Sequence, residues 1–160
     1  MDRGDEKAAL EAAYRSFGQD LWRAILAYSG GRGDVADEAV AEAFAQAAGR
    51  LRSIRDLRPW LYRAAFKIAA GELKRRSSGP AALPDEIPGA GSDEEEGMIE
   101  LMELVRTLTP AQRGSFVLRE LLGFTTAETA ELLGRSEVSV RVHLHAARKR
   151  LGLELEETAR

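Results

Sequence analysis

The sequence contains no cysteine, which excludes disulfide staples, thiolate chemistry and any cysteine-held metal. Only two histidines are present, His143 and His145. Two residues apart on a helix, they fall on different faces and match neither i, i+4 metal spacing nor a base-and-orienter pair. No catalytic group, metal or cofactor is therefore expected. No apolar run approaches the roughly 18 residues of a membrane span, so membrane insertion is not expected. The N-terminus, acidic and poor in apolar residues, does not read as a signal peptide, and the cytoplasm is the expected compartment. β-Branched residues are few and no stretch alternates with period two, which argues against a sheet.

What remains is helical material. At 160 residues, 44% hydrophobic and 31% charged, the chain suits one globular domain or two small ones. Alanine, leucine, glutamate and arginine dominate, and the expected fold class is all-α. Charge is segregated. Arg50 to Arg76 holds nine basic residues against Asp56 and Glu72, and Ser136 to Leu151 holds four against Glu137. The whole chain is nevertheless −3, so everything outside those windows sums to −13. Concentrated basic charge on helices is the footprint of a phosphate-facing surface, and the acidic remainder argues against indiscriminate coating of nucleic acid.

The sharpest local pattern lies near the C-terminus. Thr125 with Glu128 forms a capping box that starts a short helix, Gly134 supplies the positive φ of a turn, and Ser136 caps a second helix. On that helix Val140, Leu144, Ala147 and Leu151 form one apolar stripe, while Arg141, His145 and Arg148 share the neighbouring one. Such a helix-turn-helix also serves as a plain helical hairpin. A helix docked by its back with basic side chains forward is also the geometry that enters a DNA major groove. His145 reads as a DNA-facing donor and His143 as a solvated polar residue.

Ser77 to Gly97 is rich in glycine, proline and acid, ending in Asp93-Glu94-Glu95-Glu96, and reads as a flexible linker. It divides residues 1–76 from residues 98–160, giving two small helical domains. In the first, a helix from about Glu6 to Tyr28 places Leu10, Tyr14, Phe17, Leu21, Ile25 and Tyr28 in the core. The Gly30-Gly31-Arg32-Gly33 break lacks a preceding strand and is not a nucleotide loop. Asp34 is the expected cap of a helix to about Ala48, with Ala36, Val40, Ala43, Phe44 and Ala47 inward. Asp37, Glu38, Ala41 and Glu42 lie on the outer side; the helix dipole accounts for the first two, and the acidic ridge also suits a basic partner. Pro59 opens a helix to about Arg76, on which Trp60, Arg63, Lys67 and Lys74 line a narrow strip outside the apolar arc. Cations beside an aromatic suit single-stranded DNA; the plainer reading makes Trp60 core and the cations solvated. In the second domain, Leu101, Leu104, Val105 and Leu108 form one face. Thr109-Pro110-Ala111-Gln112 starts the next helix, which carries Phe116, Val117 and Leu121.

Leu57-Arg58-Pro59-Trp60-Leu61-Tyr62-Arg63-Ala64-Ala65, ending in Lys74-Arg75-Arg76, resembles region two of bacterial sigma factors. Leu108-Thr109-Pro110-Ala111-Gln112-Arg113, Leu118-Arg119-Glu120, Thr126 to Gly134 and Val140 to Leu151 resemble region four. The order and spacing are similar to the extracytoplasmic-function (group IV) form. That resemblance implies a non-enzymatic initiation subunit that binds core RNA polymerase and promoter DNA. The positions matching the polymerase-clamp contact are Asp37, Glu38, Ala41 and Glu42. Those matching capture of the −10 strand are Arg52, Arg55, Trp60, Arg63 and Lys67. Those matching −35 readout are Ser139, Arg141, Val142, His145 and Arg148. Many members are held by an anti-sigma factor, so one is an expected partner.

The chain departs from the family's usual glutamine at Ala41, asparagine at Lys67 and aspartate at Gly71, and from the frequent arginine at His143 and Ala146. Fewer arginines weaken guanine readout, and Val142 suits a thymine methyl instead. Besides a sigma factor, a sigma-like DNA-binding regulator that does not itself initiate transcription fits these residues, as does an interaction protein that sequesters a partner.

Overall fold

The computed structural model describes residues 2–76 and 92–152. Within them the chain is helical with no strand, as its composition predicts, and forms two compact units, one on each side of the gap. Most of the expected linker, 77–91, and the C-terminal residues 153–160 lie outside the described residues. No helix among the described residues is long and apolar enough to cross a membrane.

The first unit contains α1 (Arg3–Ala13), α2 (Gln19–Tyr28), α3 (Gly33–Ala48) and α4 (Leu57–Arg75). Asp2 caps α1 by accepting the Asp5 amide at 2.8 Å. Leu21, Ile25, Val35, Ala36, Ala39, Ala43, Leu61, Ala65 and Phe66 are buried. The α3 face toward α4 is largely alanine, which lets the two backbones approach closely. Tyr28 closes the core edge-on against Phe66, with ring centroids 5.2 Å apart.

The expected single first helix is interrupted by a π-helical turn at Tyr14–Gly18. That wider turn shifts the phase of the helix, and Tyr14, expected in the core, is 57% exposed. Its ring lies across the turn: a β-carbon at Gly18 would stand only 3.0 Å from Tyr14 Cδ2. Asp34 is also not the cap expected of it. Helix α3 begins at Gly33 with Arg32 as the capping residue, and the Asp34 carboxylate instead accepts the Val35 amide and pairs with Arg76.

Arg76, one residue past α4, is a tie between helices. Its guanidinium meets Asp34, Glu38 at 3.9 Å and Glu72 at 3.5 Å. The Arg76 hydrogen bond holds the Asp34 carboxyl below its ordinary pKa against a small desolvation cost. Glu72 is lowered chiefly by its bond from Arg75, and Arg76 itself is raised by Asp34.

The second unit contains α5 (Ser92–Arg106), α6 (Pro110–Phe116), α7 (Thr126–Leu133) and α8 (Glu137–Leu151). Helix α5 starts at Ser92, inside the stretch read as linker, because Asp93, Glu94 and Glu95 fall in its first turn, where carboxylates favour the dipole. Its residues Met102 and Val105 are buried, as is Leu108 just past its end, whereas Leu104, expected inward, is 52% exposed. Arg113 ties α6 back to α5, donating from Nε to the Val105 carbonyl at 3.1 Å and from Nη2 to that of Leu108 at 3.2 Å. Thr109 and Gln112 close the expected capping box. A second π turn follows at Val117–Leu121. It buries Val117 and Leu118 completely and leaves Leu121 43% exposed.

Two measurements check these features. Leu118→Ala is expected to cost about 2–5 kcal/mol and Leu121→Ala less than about 1 kcal/mol in chemical denaturation; equal costs would contradict the π-turn phase. Arg76→Ala is expected to lower the melting temperature modestly at neutral pH. Since Asp34 and Glu72 have folded values below the ordinary carboxylate range, their contribution is present above that range and lost as pH falls below it, through the depressed folded values. The wild-type and Arg76→Ala melts should therefore converge in acid.

Candidate nucleic-acid interface

Helix α8 is set in place by caps and by its apolar stripe. Thr125 Oγ1 and Glu128 Oε1 close the expected box on α7, each across 3.0 Å. Gly134 ends α7 at φ 64°, a left-handed conformation that costs other residues about 1–2 kcal/mol. The Arg135 amide bonds back to the Ala130 carbonyl at 2.9 Å, completing the helix stop. Ser136 Oγ then accepts the Ser139 amide at 3.1 Å and opens α8. Val140, Leu144 and Ala147 are buried and Leu151 is half-buried, with α8 packed on α6 and α7.

That docking turns the other side outward. Arg141, Val142 and His145 are exposed and Ser139 is half-buried. The Arg141 guanidinium stands 4.0 Å from the Glu137 carboxylate, with both side chains more than half exposed, so little holds it in place. Arg148 is placed differently from the rest. It is mostly covered and ion-paired with Glu120 in the π turn that follows α6, which makes it a brace of α8 as well as a charge. His143, read as solvated, is half-buried beside the core.

The strip on α4 is present as the spacing predicts. Arg63, Lys67 and Lys74 are exposed on the side away from buried Leu61, Tyr62, Ala65, Phe66 and Ala69. Trp60 is half-buried, between its two readings. At Gly71, within the strip, a β-carbon would meet nothing within 4 Å, so the strip is open there. Arg52 and Arg55, in the connection before α4, are exposed, and Arg52 Nε lies 3.4 Å from Glu6. Arg58 covers Phe17 and Tyr62, at 5.6 and 5.5 Å from the ring centroids. Burial raises the pKa of the Tyr62 phenol, opposed by Arg58, so that group stays neutral and the cation shields the core edge.

On α3, Asp37, Glu38, Ala41 and Glu42 are all exposed, as expected of the outer ridge. The structure adds neighbours that helical spacing did not assign to it. Trp22 donates its indole N–H to Asp37 Oδ1 at 2.7 Å. Tyr14 meets Phe44 edge-on at 5.5 Å. These three aromatics border a hollow of about 410 Å³ that Asp37, Ala41, Leu10 and Arg15 also line. The signal that could have found Tyr14 was Gly18, four residues on, where a β-carbon would crowd the ring.

Known proteins share this organisation. Residues 98–151 match the family described as Sigma-70, region 4. The RNA polymerase sigma-E factor of Streptomyces avermitilis is 32% identical over 139 residues, spanning 86% of this chain and 70% of the relative. The ECF RNA polymerase sigma factor SigC of Mycobacterium tuberculosis is 29% identical over 152 residues, spanning 89% and 81%. Among solved structures, CnrH in complex with the cytosolic domain of CnrY is similar in fold, with a TM-score of 0.60 at 21% identity. That likeness covers 94% of this chain and 90% of the other.

Proposed function

The chain belongs to the extracytoplasmic-function sigma factors of RNA polymerase, and from that premise we propose how its surfaces divide the work of transcription initiation. Its role is regulatory. Helix α8 reads the −35 element in the major groove through Ser139, Arg141, Val142 and His145, with Arg148 bracing the helix and adding charge. The α4 strip, Trp60, Arg63 and Lys67, captures the −10 strand together with Arg52 and Arg55. The α3 ridge, Asp37, Glu38, Ala41 and Glu42, docks on the polymerase clamp, and the aromatic hollow beside it widens that contact. The two units act as separate modules, the second beginning with α5 at Ser92 rather than at residue 98.

The observation that carries this reading is the orientation of α8. Val140, Leu144 and Ala147 are buried while Arg141 and Val142 are exposed, so the side that can enter a groove is the polar one. The α4 strip supports the second contact, because exposed cations beside a partly exposed indole suit phosphates and stacked bases. Opening follows from differential affinity: a surface that binds the unpaired strand better than the duplex shifts the equilibrium toward the melted state. The acidic ridge suits a basic partner, and an anti-sigma factor occupying the same ridge would exclude the polymerase. Such a protein works in the cytoplasm, on the nucleoid.

Transcription reconstituted from the full chain, core polymerase and a promoter library tests the assignments. Arg141→Ala is expected to weaken dependence on the upstream element by about tenfold or more, since one good base contact is worth about 1–3 kcal/mol. Lys67→Ala is expected to leave closed-complex affinity nearly intact and to slow opening. Unchanged initiation in both variants would reject these residue roles. Promoter binding without starts in the wild type would favour a sigma-like regulator instead.

A further inference from the structure

Two side chains on α8 have no part in the packing that docks it. Val138 is 63% exposed and Val142 is 59% exposed, and both fall in the first half of α8 (Glu137–Leu151). Four residues apart, they lie one above the other on the same stripe. Single exposed valines are ordinary on protein surfaces. These two instead form a pair on the outward side of the helix whose back is held by Val140, Leu144 and Ala147, with the exposed Arg141 between them in sequence. Residues in the N-terminal part of a groove-binding helix are the ones that meet base edges.

A valine on a base edge has a narrow range of partners. It carries no donor or acceptor, so it leaves the guanine O6 or the cytosine N4 amino group without a replacement for lost water, which is costly. The apolar group that the major groove presents is the thymine C5 methyl. Valine is also stiff at χ1, so little side-chain freedom is lost when it packs there.

We propose that Val138 and Val142 are specificity-determining residues, each seating one thymine methyl of the upstream promoter element. The inference rests on the proposed major-groove docking of α8 and adds the bases that it selects. Four residues of helix advance about 6 Å, and successive bases on one strand rise about 3.4 Å. The two thymines therefore lie about two base steps apart. Arg141 supplies charge and hydrogen bonding beside them, while the valines supply selection against guanine and cytosine.

The test uses holoenzyme reconstituted from the full chain and core polymerase. A duplex library randomised across the upstream element is selected for binding, and enriched sequences are expected to hold thymine at two positions about two steps apart. Each thymine is then replaced by deoxyuridine, which removes only the methyl. Affinity should fall about fourfold per methyl. Val138→Ala should abolish the thymine–uracil difference at one position and Val142→Ala at the other. Both residues are exposed, so thermal melts of the variants should match the wild type. Sequence-selective binding that does not distinguish thymine from uracil would overturn the inference and leave the docking of α8 intact. Discrimination that persists in both alanine variants would overturn it as well. An upstream element with no enrichment at all would overturn the inference together with the proposed function.

Discussion

A helix has one stripe that it can bury, and the choice of stripe decides what the opposite side presents. In this chain that constraint is most consequential on α8, where burial of Val140, Leu144 and Ala147 leaves Arg141, Val142 and His145 facing outward. Neither disulfide nor cysteine-held metal is available to fix the helix, because the sequence has no cysteine. Orientation must come from packing and from backbone termini satisfied by side chains. The Thr125–Glu128 box, the left-handed Gly134 and the Ser136 cap set where α7 stops and where α8 begins. Together they fix the angle at which the recognition surface leaves the core.

Charge is arranged on the same principle. Several acids serve as internal ties: Asp34, Glu38 and Glu72 gather on Arg76, Glu120 holds Arg148, and Glu6 lies beside Arg52. The strip on α4 keeps Arg63, Lys67 and Lys74 exposed. A chain that is net acidic can thus turn cationic surfaces toward a polyanion, since what a ligand meets is the local distribution rather than the total. The acidic ridge of α3 lies elsewhere in the same unit and suits a partner of opposite sign.

Much of this was legible in the sequence. The α8 stripe, the two capping boxes, the exposed ridge of α3 and the α4 strip all follow from 3.6-residue periodicity and local capping chemistry. One failure comes from helix geometry. Tyr14 was assigned inward by spacing and sits in a π-helical turn, where the period is locally wider and the phase moves on. Leu104 failed for another reason: several apolar residues on α5 offer competing faces, and the one containing Met102 and Val105 is buried. Asp34 looked like a cap because its residue type favours that position, yet its carboxylate meets Arg76, forty-two residues away, a partner that local pattern does not contain. The hollow beside Asp37 was illegible for the same reason, since Trp22 and Phe44 meet it from separate helices.

The central claim is that two surfaces of one chain act on two stretches of one promoter. Combined hydroxyl-radical and permanganate footprinting of a promoter held by the reconstituted holoenzyme tests it most directly. The account predicts protection of an upstream duplex element and reactive, unpaired thymines at a downstream element in the same complex. Strand opening with no upstream protection, or upstream protection over a downstream duplex that never opens, would contradict it.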